Sequence, residues 1–235
     1  MKIYAVIPAR SGSKGLPDKN IKLINNRPLI DYSIKFAKKL TNVDRIFCST
    51  DSSAYAEIAK YSGAEVPFLR SEYASKDDAM EQHVLKDLRK KFVNFRIPEP
   101  DIVVWLRPTF LFRDLLDVQK CIDVLKNRSE VSATRTVIEA ENRLYNIKDD
   151  MLIPTFDDNG KSMIRRQDMV NSYKVFSTDV FRFKGNNFDE DFLGKNIIPI
   201  VTNPICGMDI DNKFDFELTR LLVEEAQGVV DEFVH

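Results

Sequence analysis

The stretch Asp101-Ile102-Val103-Val104-Trp105-Leu106 decides the fold class. Its five successive apolar residues indicate a strand buried on both faces, because a strand with one solvated face alternates apolar and polar residues. A second run of this kind, Ile3 to Ile7, lies near the amino terminus. Strands of this type occur in parallel sheets that carry helices on both faces. The two runs therefore predict an α/β protein.

The rest of the chain alternates strand patterns with helical patterns. Further strands are predicted at Arg45 to Cys48, Glu65 to Leu69, Val131 to Val137 and Ile197 to Val201. Apolar residues at helical spacing predict helices at Pro28 to Leu40, around Tyr55 to Ala59, at Met80 to Phe92, at Asp114 to Lys126 and at Phe214 to Ala226. This alternation predicts a doubly wound, mostly parallel, Rossmann-like sheet with helices on both faces.

Residues 142–187 interrupt this rhythm. Short β-like pieces (Leu144 to Ile147, Met151 to Pro154 and Tyr173 to Phe176) are separated by the turn signal Asp157-Asp158-Asn159-Gly160. We interpret the region as a small β-like arm, a hairpin or subunit contact, inserted into a single domain that spans residues 1–235. The strand that begins at Ile197 is predicted to return the chain to the core.

Composition favours a small charged ligand over a macromolecule. The 35 lysines and arginines nearly balance the 36 aspartates and glutamates, so no net field attracts nucleic acid or an anionic membrane. The three cysteines and two histidines lack metal-ligand spacing and predict buried thiols in a reducing compartment. No apolar run approaches the roughly 20 residues of a membrane span. We expect a cytoplasmic protein.

The loop from Arg10 to Asn20, directly after the first strand, is a candidate phosphate site. Doubly wound sheets bind ligands beyond the carboxyl ends of their strands, where this loop must lie. The small residues Ser11-Gly12-Ser13 let backbone amides approach an anion, and Arg10, Lys14 and Lys19 add three cations. The loop fits neither of the two common glycine-rich phosphate motifs. The alternative is a solvated surface loop.

Asp209-Ile210-Asp211 is a candidate metal site between the last strand and the last helix. Residues two apart on an extended segment point to the same side, so both carboxylates can face one ion. Two carboxylates with room for water and phosphate oxygens suit Mg²⁺. The alternative is a capping cluster, in which Asp211 or Asn212 caps the last helix and Asp215 interacts with its dipole.

The segment Ile7-Pro8-Ala9-Arg10-Ser11-Gly12-Ser13-Lys14-Gly15, with Lys19-Asn20, resembles the opening motif of the CMP-acylneuraminate cytidylyltransferase family. Those enzymes make CMP-sialic acid and related CMP-activated nonulosonic acids. Four further matches follow in order along the chain: Ser49 to Ser52, Leu106 to Thr109, Arg165 to Gln167 with Tyr173, and Asp209 to Asp211 with Asp215-Phe216. The resemblance thus spans nearly the whole chain.

The resemblance implies a nucleotidyltransferase that couples CTP to a small acidic acceptor, releases pyrophosphate and serves cell-surface polysaccharide biosynthesis. It implies a homodimer in which the arm crosses to the partner. The implied nucleotide-binding residues are Ala9, Arg10, Ser11, Gly12, Ser13, Lys14, Lys19 and Asn20. The implied catalytic residues are Arg10, Lys14, Lys19 and Asp209, with Mg²⁺ held by Asp209 and Asp211. The predicted acceptor-binding residues are Arg107, Arg165, Arg166, Gln167 and Tyr173.

The chain departs from the family pattern near the expected acceptor. Arg107 stands where the family has glutamine, and Phe110 where it has serine. Phe176-Ser177 replaces asparagine-glycine, and Lys76 replaces an aspartate. We therefore hypothesise an acceptor with more negative charge or less bulk than sialic acid, such as a phosphorylated or smaller acid. The alternative is that Arg107 pairs with a structural acid.

Two other functions compete with this interpretation. A glycosyltransferase that uses a nucleotide-sugar donor could also hold a metal with Asp209 and Asp211. A non-catalytic nucleotide-binding homologue is the second alternative. The preferred interpretation depends on one spatial condition: the basic loop and the acidic pair must meet across one cleft.

Overall fold

The computed structural model describes residues 1–141, 143–156, 165, 171–175, 177–189, 191–226 and 228–235. The strands are β1 (Ile3–Pro8), β2 (Leu23–Ile24), β3 (Arg27–Pro28), β4 (Arg45–Ser49), β5 (Ile102–Leu106), β6 (Ala133–Glu139), β7 (Tyr145–Lys148), β8 (Met151–Pro154), β9 (Tyr173–Lys174), β10 (Thr178–Arg182) and β11 (Ile197–Val201). The α-helices are α1 (Leu29–Lys39), α2 (Ser53–Ser62), α3 (Glu72–Ser75), α4 (Glu81–Asn94), α5 (Leu115–Asn127) and α6 (Lys213–Glu225). Short 3-10 helices lie at Lys19–Ile21, Pro204–Gly207 and Asp231–Phe233.

The central sheet has the strand order β11-β6-β10-β5-β1-β4, and β9 pairs with the end of β6. β1 lies parallel to both β4 and β5, so that Val6 faces Phe47 on one side and Trp105 on the other. β11 is parallel to β6, whereas β10 runs antiparallel between β5 and β6. The predicted doubly wound, mostly parallel sheet is therefore confirmed.

Apolar layers cover both faces of the sheet. Alternate β1 residues face opposite sides: Ala5 belongs to one core cluster and Val6 to another. The Ala5 cluster includes apolar residues of α1, α2 and α5, whereas the Val6 cluster includes those of α4. A strand between two such layers must be apolar at every position, which is why β1 and β5 are unbroken apolar runs.

Two local features differ from the sequence prediction. Glu65 to Leu69 is not a strand; it contributes only an isolated bridge between Glu65 and Phe47. Pro67 explains the difference, because proline has no amide hydrogen to donate to a strand ladder. The short helix α3, which Ser71 caps through its side chain, was not predicted.

Two of the β-like pieces predicted for the arm are strands, and the interpretation of the region as an inserted arm stays a prediction. β7 and β8 form a separate two-stranded antiparallel sheet, as expected for a hairpin. The predicted boundary at residue 187 is wrong, because β10 already lies in the middle of the central sheet. The predicted turn at 157–160 and Phe176 lie outside the described residues.

Within the described residues, no helix combines the length and the apolar character needed to cross a bilayer.

Candidate active site

A cleft of about 540 Å³ opens at the carboxyl ends of β1 and β5. Its walls come from the loop after β1, the start of α4, the segment after β5, and Asp211. This edge of the sheet is where an open α/β fold binds its ligands. The predicted residues Arg10, Ser13, Lys14, Lys19 and Asn20 line it.

The structure brings the basic loop and the acidic pair together. Lys14 and Asp211 line the same cleft, and Lys19 Nζ lies 3.4 Å from Asp211 Oδ1. Gly15 packs so closely on the acidic segment that a Cβ atom there would lie 2.4 Å from the backbone oxygen of Asp211. Residues almost two hundred positions apart thus form one site, as the sequence interpretation required.

Ala9 and Ser11 shape the site without lining the cleft, and Asn20 does both. Ser11 donates from its amide (2.7 Å) and its hydroxyl (2.9 Å) to the two carboxylate oxygens of Asp51. Asn20 is buried and donates its side-chain amide to the Arg10 carbonyl oxygen at 3.0 Å. Ala9 is buried and donates its amide to Ser49. Four of the predicted nucleotide- and metal-binding residues do not line the cleft: Ala9, Ser11, Gly12 and Asp209.

A carboxylate that the sequence analysis did not identify neutralises two loop cations. Asp77 Oδ1 lies 2.8 Å from Arg10 Nη1, and Asp77 Oδ2 lies 2.7 Å from Lys14 Nζ. Hydrogen bonds from Lys14 and Arg10 hold the pKa of Asp77 below its usual value. Asp77 precedes α4 and is 67 residues from Arg10 in sequence, so no local pattern indicated the contact.

Helix capping does not account for the acidic pair. Asn212 is the N-cap of α6: its side chain accepts from the Asp215 amide, and the Asp215 carboxylate accepts in return from the amide of Asn212. The Asp215 carboxylate also accepts from the amide of Asp211. The carboxylates of Asp209 and Asp211 are therefore available for another role.

The surroundings of Asp209 fit a bound cation. Its Oδ1 atom is buried and has no hydrogen-bond partner among the described residues, which is costly for a carboxylate unless a cation compensates it. Burial raises its pKa and the negative charge of Asp211 adds to that shift, whereas the hydrogen bond from Thr109 and the positive charges of Lys19 and Lys174 oppose it.

The described residues contain no group of three or more histidine, cysteine, aspartate or glutamate side chains placed to hold a metal. A divalent ion here would take the two carboxylates and complete its coordination with water and phosphate oxygens, as Mg²⁺ commonly does.

Arg107 belongs to an ion cluster at the wall of the cleft. Its Nη1 lies 2.9 Å from Asp179 Oδ2 and its Nη2 lies 2.9 Å from Glu81 Oε1. Asp179 is fully buried and also accepts from Arg135 at 2.6 Å. Burial lowers the pKa of Arg107, but Asp179 and Glu81 outweigh that effect and the net pKa is raised. Arg107 therefore pairs with structural acids, the alternative left open by the sequence, although it also lines the cleft.

The remaining predicted acceptor residues are not brought into the cleft by the described part of the chain. Arg165 is exposed, and Tyr173, which is 44% exposed, pairs with Glu139 at the end of β6. Arg166 and Gln167 lie outside the described residues. Their role in acceptor binding stays a prediction.

Arg70 is a cleft residue that the sequence analysis missed. It lines the cleft although only 8% of it is exposed, and burial lowers its pKa to about 10. Its guanidinium donates to the hydroxyl (3.0 Å) and backbone oxygen (2.7 Å) of Ser49. A signal was present: Arg70 follows an apolar segment, as Arg10 follows β1.

The fold and the cleft define the class of protein. A mostly parallel sheet that presents cations and paired carboxylates at one carboxyl edge is the architecture of an α/β nucleotide-binding enzyme. The sequence profile of the cytidylyltransferase family matches residues 4–192. The chain belongs to this family and is a nucleotidyltransferase, which decides against the glycosyltransferase alternative.

Related proteins agree with this assignment. The chain is 29% identical to a CMP-N,N'-diacetyllegionaminic acid synthase from Legionella pneumophila, an alignment that covers 97% of this chain and 98% of the relative. It is 28% identical to a pseudaminic acid cytidylyltransferase from Campylobacter jejuni, with 94% and 96% covered. A solved CMP:2-keto-3-deoxy-manno-octonic acid synthetase in complex with CTP shares the fold, with a TM-score of 0.69 at 15% identity and coverage of 95% and 98%.

Proposed function

We propose that this cytidylyltransferase transfers CMP from CTP to a nonulosonic acid and releases pyrophosphate. The observation that carries the proposal is the single cleft shared by Lys14, Lys19 and Asp211. The names of the relatives, which include legionaminic and pseudaminic acid enzymes, support this acceptor class. The product would be a CMP-activated sugar acid for surface-sugar biosynthesis.

The basic loop supplies the triphosphate site in this proposal. Arg10, Lys14 and Lys19 stabilise the negative charge that builds on the phosphate oxygens, with Arg70 beside them in the cleft. An acceptor hydroxyl oxygen attacks the α-phosphorus and loses its proton to solvent, and the bond from that phosphorus to the oxygen that bridges it to the β-phosphorus breaks. The electron pair leaves with pyrophosphate, so no covalent enzyme intermediate is needed.

Asp209 and Asp211 would hold Mg²⁺. When bound, the ion would supply Lewis-acid stabilisation of the phosphate oxygens. The chain's own contribution is to hold Asp211 at the cleft and Asp209 near it in sequence through the Asp211 and Ile210 amides, which donate to Asp215 and to the Thr109 backbone oxygen. The buried Oδ1 of Asp209, which has no hydrogen-bond partner in the part of the chain that the structure describes, supports this assignment.

The ion pairs of Arg107 revise the hypothesis of a more negative acceptor. Glu81 and Asp179 already pair with the guanidinium of Arg107, which stands where the family has glutamine. An additional anionic group on the acceptor is therefore not needed to explain Arg107. We propose an ordinary nonulosonic acid carboxylate as the anion recognised, with Arg165, Arg166, Gln167 and Tyr173 as its predicted contacts.

A homodimer is also proposed. Ile147 and Leu152 are paired across the β7–β8 hairpin on one face, and their side chains are 79% and 66% exposed. An apolar pair at the tip of a hairpin is unfavourable in water and suits a partner subunit.

The decisive experiment measures pyrophosphate release for the four common nucleoside triphosphates against a panel of nonulosonic and phosphorylated sugar acids, with and without Mg²⁺. We expect release only with CTP, a nonulosonic acid and Mg²⁺ together. Best turnover with a phosphorylated acid would refute the acceptor class. Binding of CTP without release by any acceptor would instead favour the non-catalytic alternative.

A further inference from the structure

Asp77 holds two of the cations assigned to the triphosphate. One carboxylate oxygen contacts the Arg10 guanidinium at 2.8 Å and the other contacts the Lys14 ammonium at 2.7 Å. A single anionic group that offers separate oxygens to a guanidinium and an ammonium makes the contacts that a phosphate group would make. The two cations come from the loop after β1, whereas Asp77 comes from the segment between α3 and α4.

The contact is placed where a ligand can replace it. The Asp77 side chain is 49% exposed and that of Lys14 is 76% exposed, so an incoming anion can reach the pair from solvent. Arg10 also reaches the Ser75 backbone oxygen at 3.5 Å, and Ala79 lines the cleft. The segment that carries Asp77 therefore borders the cleft.

We propose that Asp77 is an internal substitute for a phosphate group: it occupies Arg10 and Lys14 in the nucleotide-free enzyme and is displaced by the triphosphate. The inference rests on the proposed function for the identity of the displacing anion. Two consequences follow. First, Asp77 reduces the repulsion between the two cations when the cleft is empty. Second, it lowers the affinity of the loop for triphosphate and pyrophosphate, and the lower affinity for pyrophosphate assists product release.

The test compares Asp77→Asn with the matched variant Asp78→Asn. Asp78 is the next residue and is exposed, so its substitution removes the same charge from the same segment. The dissociation constants of CTP and of inorganic tripolyphosphate are measured by calorimetry without acceptor, so that no turnover occurs. We expect Asp77→Asn to bind both ligands about three- to tenfold more tightly, the range for loss of competing exposed ion pairs, and Asp78→Asn to bind them as the parent does.

Two further readouts test the displacement: the salt dependence shows whether the gain in affinity is electrostatic, and a Lys14→Gln background shows whether it depends on the competed cation. The gain should shrink as salt is raised from about 0.05 M to about 0.5 M, because exposed ion pairs are screened. The gain in affinity should also be smaller when both proteins carry Lys14→Gln, because the ammonium group for which Asp77 and the phosphate compete is then absent. Weaker or unchanged binding by Asp77→Asn would overturn the proposal and make Asp77 a residue that positions the loop.

The outcomes also separate this inference from the proposed function. Tighter tripolyphosphate binding by Asp77→Asn without CMP transfer to any acceptor would uphold the displacement and refute the reaction. Normal CMP transfer with unchanged affinities would support the reaction and overturn the displacement.

Discussion

Two aspartates beside the cleft have opposite surroundings. Asp179 is fully buried and accepts from Arg107 and Arg135, so its charge is compensated within the chain. Asp209 keeps a buried oxygen without a hydrogen-bond partner among the described residues. A buried carboxylate held by its own salt bridges contributes to the fold, whereas a buried carboxylate oxygen without a hydrogen-bond partner suits a ligand. We therefore expect the two residues to respond differently to the same substitution.

Asp179→Asn should lower the free energy of unfolding by about 3 kcal/mol, because it leaves two arginines beside a neutral amide in a buried site. Urea unfolding followed by circular dichroism measures the change. The control is Glu130→Gln, which breaks the exposed pair with Arg128 and should leave the unfolding midpoint where it is. An equal midpoint for Asp179→Asn and the parent would contradict the structural role of the cluster.

Asp209→Asn should reduce CMP transfer at least about 100-fold, the scale of losing a group that stabilises charge in the reaction. Its unfolding midpoint should not fall, because burial already disfavours the ionised carboxylate, as its raised pKa indicates. Steady-state pyrophosphate release and urea unfolding test both expectations. Glu57→Gln, in an exposed pair with Lys60 on α2, is the control for activity. Retained turnover would rule out the metal assignment.

At the scale of elements, the site depends on one close approach between the loop after β1 and the segment before α6. Gly15 has no side chain to separate them, and an added Cβ would meet the Asp211 backbone oxygen at 2.4 Å. Because the obstructing atom belongs to the backbone, the acidic segment would have to shift.

Gly15→Ala should therefore lower CMP transfer and cost about 1–3 kcal/mol of stability, as overpacking does. Turnover and urea unfolding are measured together. The control is Gly185→Asn: residue 185 has φ +81 and nothing within 4 Å of an added Cβ, and asparagine tolerates that left-handed backbone. The idea of a tight loop contact fails if Gly15→Ala behaves like this control.

The β7–β8 hairpin presents Ile147 and Leu152 on one face and Asn146 on the other. If the apolar face contacts a partner subunit, the double variant Ile147→Asp/Leu152→Asp should halve the mass measured by light scattering, because two buried charges without partners disfavour an interface. The control is Asn42→Asp, which adds a charge at an exposed position between α1 and β4 and should leave the mass of the dimer unchanged. A monomeric mass for the parent protein would refute the proposed homodimer.

At the scale of the whole molecule, the thiols report on global folding. Burial raises the pKa of Cys48 and of Cys121 to about 12 and that of Cys206 to about 11, so the thiols stay protonated near neutral pH. We expect a thiolate-specific reagent at pH 8 to label none of the three in the folded enzyme and all three in urea. Rapid labelling of the folded protein would contradict the burial of these side chains.

The fold could be predicted because its signals are local. Unbroken apolar runs at β1 and β5 and the helical spacing of α1, α4 and α5 are contained in short windows of sequence. β10 could not be predicted in the same way. Its buried Asp179 is tolerated because Arg107, 72 residues away, and Arg135, 44 residues away, compensate the charge.

The sequence by itself determined the sheet type, the basic loop and the acidic pair, because these depend on residue types at short spacing and on the rule that ligands bind at the carboxyl edge. Only the tertiary structure decided which polar and charged side chains pair with one another within the chain. Arg107 pairs with Asp179, Ser11 with Asp51, and Arg10 with Asp77. Coulomb and hydrogen-bond energies depend on distances of a few ångströms. Residues 40 to 72 positions apart in the chain can lie at any distance in space, so the sequence does not show which of them are in contact.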